Sequence, residues 1–543
     1  MRILVVGGVA AGASAATKAR RTNEDAEIVL FEKGNYVSFA NCGLPYYIGG
    51  VIEDRDELLL VTPEMFQERF NIDVRINHEV IDVDAKNKTI TVSTPDGEVT
   101  EAYDKLILAT GGRPIVPPIK GIEKDGVYNV FTVPDADSIV SKLEVGTESA
   151  VVVGGGFIGL ESAENLCEKG IKVTLIERLP QVMTNMDKEF SDVIIGHFES
   201  MGITVLTGAS VSEITGGDKA DGVVLADGTS IPADMVIMAA GVRSSTELAV
   251  KAGLRIGETG GVWTDSTMRT SDPDIYAAGD MVESLNLVSG KKVRIPLAGS
   301  ANKQGRAAGC NAAGGKLLFK GVLGTAIIKV GELTAARTGL NAREAADLGW
   351  DFESVYVPGF SHATYYPDAM PMVLKLTVAK QDGRILGAQG IGRKGVDKRI
   401  DVLATAIYSG LTVFDLENLD LAYAPPYSSA KDPVILGGMI AANMIRGEMD
   451  YALPSEVPAL QEAGEIMLDV RSQMEWDMGH IEGAVLIPID ELRERYTELD
   501  KSKTYVVYCG VGYRAYNSAL FLKAMGFKVK NMSGGWRAYT MSV

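Results

Sequence analysis

With 543 residues the chain is long enough for about three to five domains. Its 46% hydrophobic and 23% charged residues are those of an ordinary folded protein, which excludes disordered and collagen-like classes. A formal charge of −18, from 53 Lys and Arg against 71 Asp and Glu, suits a phosphate backbone poorly, so nucleic acid is not an expected partner.

Cys42, Cys167, Cys310 and Cys509 are too few and too far apart for a disulfide framework or a zinc site, so a reducing, cytoplasmic setting is expected. No uninterrupted apolar run reaches the 18 or so residues of a membrane helix, and no membrane partner is expected.

The first element, Ile3–Val6, reads as a strand buried on both faces. It stops at Gly7-Gly8-Val9-Ala10-Ala11-Gly12, opens an Ala-rich helix ending near Arg21, and is followed by the strand Ile28–Phe31 and Glu32. This βαβ pattern fits a dinucleotide, with the pyrophosphate over the helix N-terminus and a ribose hydroxyl on Glu32. Val9 replaces the middle glycine of the usual fingerprint, so this copy alone is a weak signal. The same opening is a poorer match to a signal peptide.

Next comes Ser38-Phe-Ala-Asn-Cys-Gly-Leu-Pro-Tyr46, which places Cys42 in a loop where Gly43 would admit a ligand. A dithiol flavoprotein needs a second cysteine, usually five positions on, and that position is Tyr47. A lone thiolate beside a reduced flavin can become a sulfenic acid or enter a mixed disulfide with a small thiol.

Leu106–Gly112 is an apolar strand ending in small residues. Ala150–Val153 then opens a second βαβ unit through Gly154-Gly-Gly156-Phe157-Ile158-Gly159, a helix to about Lys169, and a strand ending in Glu177; this copy satisfies the whole fingerprint. Two dinucleotides in one chain are the logic of a flavoprotein reduced by a nicotinamide. Glu177 favours NADH by accepting from a free 2′-hydroxyl, while Arg178 beside it leaves NADPH open. Ile275–Asp280 is a further strand delivering a carboxylate after a glycine.

Strand-like runs and a helical stretch at 397–406 follow, and two prolines in 451–458 mark an interdomain linker. The last 85 or so residues read as a small α/β domain. In it, Cys509-Gly-Val-Gly-Tyr-Arg514 lies between a strand and a helical run, so backbone N–H groups can converge on the sulfur and stabilise a thiolate or persulfide. Four residues separate Cys509 from Arg514, one fewer than in phosphatase loops, and Arg514 is the loop's only cation, which disfavours thiosulfate as donor. His78, His197, His362 and His480 lack ligand spacing, so no metal site is expected, and Cys167 and Cys310 read as packing residues.

These motifs resemble the coenzyme A disulfide reductases fused to a C-terminal rhodanese domain. The resemblance spans the chain and rests on Ser38–Tyr46, Gly7–Gly12 and Ala424-Pro-Pro-Tyr-Ser-Ser-Ala-Lys-Asp432. At the C-terminus it rests on the Cys509 loop with Asp469-Val-Arg471, Gly479–Ala484 and Gly534-Gly-Trp536. It implies an α/β fold of two Rossmann-like domains, an α+β dimerisation domain and an α/β rhodanese domain. The expected limits are FAD-binding at 1–149 and 266–318, NAD(P)H-binding at 150–265, dimerisation at 319–450, linker at 451–460 and rhodanese at 461–543.

The resemblance also assigns residues. FAD contacts fall on Gly7, Gly8, Ala10, Gly12, Glu32, Lys33, Asn41, Val80, Thr110, Gly111, Arg113, Asp280 and Ala298. Nicotinamide-dinucleotide contacts fall on Gly154, Gly156, Phe157, Ile158, Gly159, Glu161, Glu177 and Gly241, and coenzyme A contacts on Ser14, Lys18, Arg21, Ser38, Asn41, Asn302 and Lys431. A family lysine near the end of the helix at 63–69 is Phe70 here, with Arg69 beside it. Cys42 would hold coenzyme A as a mixed disulfide, with Tyr365 and Tyr423 of the partner chain in a homodimer acting as acids, and Cys509 and Arg514 would handle sulfane sulfur.

The implied function is an FAD- and NAD(P)H-dependent reductase of CoA disulfide, CoA persulfide or polysulfide. Its rivals are an NADH oxidase or peroxidase using a sulfenic acid at Cys42, and a sulfurtransferase whose flavoprotein half is regulatory.

Overall fold

The computed structural model describes residues 1–542 as two compact units: Met1–Val182 with Glu199–Val322, and Met183–Phe198 with the chain from Leu323 onward. In the first unit, strand Arg2–Val6 lies at the centre of a parallel sheet, between Glu27–Phe31 and Lys105–Leu108. Asp73–Arg75 and Ile275–Ala277 flank them on either side. The strand order therefore reverses at Arg2–Val6, and the crevice at the carboxyl end of such a switch point is where open α/β sheets bind ligands. Ile3, Leu4 and Val5 are fully buried, as expected for a strand covered on both faces.

The second parallel sheet runs in the order Thr204–Thr207, Lys172–Glu177, Ser149–Val153, Met235–Met238, Val127–Asn129. In both repeats the helix approaches the turn so closely that only glycine fits. A Cβ on Gly12 would lie 1.7 Å from the Gly7 carbonyl oxygen, and one on Gly159 would lie 1.8 Å from that of Gly154. Helix Ala10–Thr22 is equally close to Ala298–Ala312, where a Cβ on Gly305 would meet the Ala11 carbonyl at 2.1 Å. The alanines of both helices serve this contact.

The second unit holds a five-stranded antiparallel sheet in the order Ala326–Val330, Leu333–Gly339, Ile385–Gly392, Pro371–Ala379, Phe352–Phe360. Helices Val396–Tyr408 and Pro433–Ile445 pack with it in one apolar core. Met183–Phe198, expected within the nicotinamide domain, belongs to this unit, where Lys375 is buried between Asp187 and Glu189 at 2.7 Å each.

A second, parallel sheet in this unit runs Tyr451–Ala452, Lys528–Met532, Thr504–Tyr508, Ile466–Asp469, Val485–Leu486. The linker expected at 451–460 is thereby corrected: Tyr451–Ala452 is an edge strand of this sheet, followed by the short helices Pro454–Glu456 and Val457–Glu462. Pro454 and Pro458 fall in the first turns of those helices, where a missing N–H costs nothing, so prolines that read as a break are helix starts. Among the described residues no helix is long and apolar enough to cross a membrane.

Two neighbouring glycines separate packing from binding. Gly159→Ala should cost ~1–3 kcal/mol through overpacking. Gly156→Ala, whose Cβ would meet nothing within 4 Å, should stay within ~0.5 kcal/mol in denaturant unfolding yet weaken binding of the dinucleotide expected at this turn. Equal stability losses in the two variants would contradict this.

Candidate active site

Cys42 sits in the single turn Asn41–Gly43 that leads into helix Leu44–Gly49, and it is exposed. The chain enters through Ser38, held in the left-handed region at φ 48°, whose N–H donates to the Gly8 carbonyl at 2.8 Å. That bond ties the cysteine turn to the first glycine turn. A Cβ on Gly43 would lie 2.7 Å from Leu58 Cδ2, so a side chain there would press on the buried Leu58.

Three distant segments converge on the thiol. Burial pushes the Cys42 thiol up, and the carboxylates of Glu161, from helix Phe157–Glu168, and Asp280, after strand Ile275–Ala277, push it further. Glu161 is itself raised to about 7 by burial and by Glu164, against the pull of the Tyr46 hydroxyl, which donates to it. Tyr46 is pushed up to about 12, by burial first and then by the same acids. The protein groups around the sulfur thus disfavour a thiolate.

The residues expected at the two dinucleotide turns have a geometry compatible with such groups. Burial raises the Asp280 carboxyl, and among the described residues no hydrogen-bond donor reaches its carboxylate, as suits a site for ligand hydroxyls. Glu32 accepts from the N–H groups of Gly8 at 2.7 Å and Gly34 at 2.8 Å. Glu177 repeats this with Gly155 at 2.6 Å and Leu179 at 2.7 Å, and both carboxylates keep lone pairs for a ribose. Gly156 is exposed with open space where a Cβ would stand, beside half-buried Phe157 and Ile158; Gly154 and Gly241 hold φ of 119° and 105°.

The other flavin candidates lie around the first sheet. Thr110 donates to the Ser245 carbonyl at 2.7 Å, Gly111 has φ 63°, and Arg113 pairs with Glu247 at 2.5 Å. Ala10 and Ala298 begin their helices, Val80 is buried and Lys33 is exposed.

Of the coenzyme A candidates, Ser14 donates to Asn302 at 2.5 Å across the two packed helices. Lys18 and Arg21 follow one and two turns along from Ser14, on the face that i, i+4, i+7 spacing shares. Ser38 and Asn41 come from the cysteine turn, and Lys431 is exposed in the second unit. Phe70 packs beside Phe66 in the apolar core, leaving Arg69 exposed.

In the second unit the phenols of Tyr365 and Tyr423 meet at 2.9 Å, both exposed, and that bond raises the Tyr365 hydroxyl. Behind them lies a fully buried ion pair that the sequence did not reveal. Arg399 Nη2 bonds Asp432 Oδ2 at 2.8 Å and the Ser361 carbonyl at 2.9 Å, while Ser428 donates to Asp432 at 2.5 Å. One guanidinium so joins the loop carrying Tyr365 to the segment carrying Tyr423 and Lys431. His362 is buried in the same loop, bonded to Ser361 Oγ and the Pro367 carbonyl.

Cys509 ends strand Thr504–Tyr508, fully buried, and its sulfur accepts from the Gly512 N–H at 3.1 Å. Trp536 N–H donates to the Cys509 carbonyl at 2.7 Å and Arg537 N–H to that of Gly510 at 3.1 Å. Arg471 gathers the C-terminal motifs: it pairs with Asp469 at 2.7 Å, donates to the Gly479 carbonyl at 2.7 Å and lies over the Trp536 ring at 4.8 Å. Arg514 pairs with Glu475 through two bonds of 2.8 and 2.5 Å, a partner the sequence reading missed. Glu475 is visible in sequence only as the third residue after the helix cap Ser472, since 39 positions separate it from Arg514. All four cysteines are free, and Cys310 is buried in its helix.

Residues 1–305 match the pyridine nucleotide-disulphide oxidoreductase family, 325–434 its dimerisation domain and 453–542 a rhodanese-like domain. The chain belongs to the pyridine nucleotide-disulphide oxidoreductase family and carries a rhodanese-like domain at its C-terminus. It is therefore a flavin- and NAD(P)H-dependent oxidoreductase of the disulfide reductase class.

Among solved structures it resembles reduced CoADR-RHD of Bacillus anthracis, with 44% identity and TM-score 0.97, covering 100% of this chain and 98% of that one. It also resembles the NAD-dependent persulfide reductase of A. fulgidus, with 43% identity and TM-score 0.93, covering 99% and 100%. The NADH oxidase of Methanocaldococcus jannaschii is 37% identical over 80% of this chain and 97% of its own length.

Two substitutions test the site. Glu161 carries charge above about pH 7, where it repels a Cys42 thiolate, so Glu161→Gln should move the pH midpoint of Cys42 alkylation downward; an upward shift would contradict the geometry. Asp432→Asn leaves Arg399 buried without a counter-charge and should cost ~3–5 kcal/mol in denaturant unfolding.

Proposed function

We propose that this chain is a cytoplasmic, homodimeric reductase of coenzyme A-linked disulfide and persulfide sulfur, with Cys42 as its single redox thiol. The observation that carries this reading is a lone cysteine in the turn beside the first dinucleotide loop, with Tyr47 bonded to Asp137 where a dithiol enzyme would hold its second sulfur. The names of the similar structures, CoADR-RHD and persulfide reductase, support the same substrate class.

In this reading residues 1–149 and 266–318 hold FAD, 150–265 holds NADH in preference to NADPH, 319–450 forms the dimer, and the Cys509 domain completes the chain. FAD, when bound, supplies two electrons taken from the nicotinamide. The chain's residues do the sulfur chemistry. The Cys42 thiolate attacks CoA–S–S–CoA, forming Cys42–S–S–CoA and releasing CoA–S⁻; with CoA–S–SH the same attack on the inner sulfur releases HS⁻. Two electrons and one proton then restore the Cys42 thiolate and release CoA–SH.

Ser14, Lys18, Arg21, Ser38, Asn41, Asn302 and Lys431 hold coenzyme A, the cations facing its phosphates. Tyr365 and Tyr423 of the partner subunit protonate the departing thiolate, the hydrogen bond between them keeping one phenol aimed outward. At the C-terminus the Cys509 thiolate takes the outer sulfur of R–S–SH, releasing R–S⁻, and CoA–S⁻ collects that sulfur as CoA–S–SH.

An oxidase reading has one observation in its favour, the likeness to an NADH oxidase, but it leaves the Cys509 cradle and the Ser14–Asn302 face without a task. The test is anaerobic NADH oxidation with CoA disulfide and CoA persulfide compared and sulfide quantified. Cys42→Ser should lower turnover on both by at least ~10³-fold, the scale lost when a nucleophile is removed. Cys509→Ser should abolish sulfur transfer from a thiol persulfide to CoA. NADH oxidation that survives Cys42→Ser and dies with Cys509→Ser would assign the chemistry to the C-terminal domain instead.

A further inference from the structure

The one cation of the Cys509 loop is paired with a carboxylate. Arg514 is the only cation among residues 509–514, and each of its terminal nitrogens donates one hydrogen bond to an oxygen of Glu475, while the guanidinium also interacts with the Cys509 sulfur. The pair lies over the loop itself: a Cβ built on Gly510 would stand 3.5 Å from Arg514 Nη2 and 3.6 Å from Glu475 Oε1. Glu475 is held in turn by Ser472, whose N–H and hydroxyl donate to its Oε2 at 3.1 and 3.0 Å, so the carboxylate is fixed at both ends. Its pKa falls to about 2, chiefly through the hydrogen bond with Arg514, and it stays ionised across the physiological range.

The other charges nearby include Arg537, whose N–H donates to the Gly510 carbonyl at 3.1 Å and whose half-buried guanidinium lies over the Phe360 ring. Arg471 is buried and matched by Asp469, and Asp477 at the end of the Glu475 helix adds a further negative charge on the surface. Val511 and Tyr513 of the loop and Met474 and Met478 of the Glu475 turn are large exposed side chains.

We propose that Glu475 determines the sulfur donor of Cys509: by neutralising Arg514, the loop's only cation, it restricts the site to organic persulfides, R–S–SH, against the thiosulfate dianion. This rests on the reading of Cys509 as a sulfane-sulfur carrier. With an organic persulfide, the Cys509 thiolate attacks the outer sulfur, the S–S bond breaks, R–S⁻ leaves and the proton stays on the transferred sulfur. With thiosulfate the same attack forms Cys509–S–S⁻ and expels sulfite, so a dianion must first approach a thiolate and then depart as another. That approach needs an unoccupied cation. Glu475 is a specificity residue that acts through Arg514 and does not itself touch the reacting sulfur.

The experiment measures sulfur transfer to cyanide by the full-length protein from two donors, thiosulfate and glutathione persulfide, for the native chain and for Glu475→Gln and Glu475→Ala. In both variants kcat/KM for thiosulfate should rise about tenfold, the equivalent of ~1.4 kcal/mol, through a lower KM. The ratio of persulfide to thiosulfate efficiency should fall accordingly. NADH oxidation with CoA disulfide, measured in parallel, reports folding and tests the flavin-site reading separately. A native chain that uses thiosulfate as efficiently as the persulfide would overturn the proposal. So would variants that fold but leave the thiosulfate KM unchanged, or that lose both donors together. Loss of transfer from both donors by the native chain would instead sink the carrier reading on which the proposal stands.

Discussion

The first unit depends on an approach between helix and turn that leaves no room for a side chain. At Gly12 and at Gly159 the missing Cβ lets a helix begin directly against the carbonyl of the glycine that ends the preceding strand. That contact fixes where each helix N-terminus points and brings Glu32 and Glu177 to the neighbouring strand ends, each bonded to a backbone N–H of its own turn. The Ser38–Gly8 bond then places Cys42 beside the first turn, and the strand ending near Asp280 and the helix carrying Glu161 complete its surroundings. A sequence of small residues thus determines the position of a sulfur some thirty residues away.

Those surroundings are acidic, and this shapes the chemistry. Burial and two carboxylates oppose ionisation of Cys42, and no cation of the first unit offsets them in the shift. Among the groups that set its ionisation, none favours a thiolate. In the second unit the buried Arg399–Asp432 pair ties together the segments that carry Tyr365 and Tyr423, whose phenols meet at 2.9 Å. A buried pair of this kind is weak evidence for stability but good evidence for positioning. The C-terminal domain uses the opposite device, an exposed-rim pair between Arg514 and Glu475 that quenches charge beside a fully buried sulfur.

What the sequence revealed follows physical range. The parallel strands and both glycine turns were legible because apolar runs and glycine spacing are local signals, and the Cys509 loop was legible for the same reason. The segment 451–460 was misread because proline breaks a helix interior but starts a helix well, and composition does not distinguish the two. The contact of Gly43 with Leu58, fifteen residues on, was not legible in the sequence. The pairings of Glu475, Arg399 and Asp432 were not legible because each acts on a partner 33 to 39 positions away, through contacts that only the fold creates. The tie of Met183–Phe198 to the second unit depends on Lys375, almost two hundred residues downstream.

The central claim is that one thiol, Cys42, exchanges with coenzyme A. The most direct test is the mass of the Cys42 peptide from protein purified without reductant, before and after anaerobic NADH. The account predicts one coenzyme A in disulfide linkage per Cys42, released on adding NADH. A peptide that instead carries a single added oxygen, or no adduct even after incubation with CoA disulfide, would contradict it.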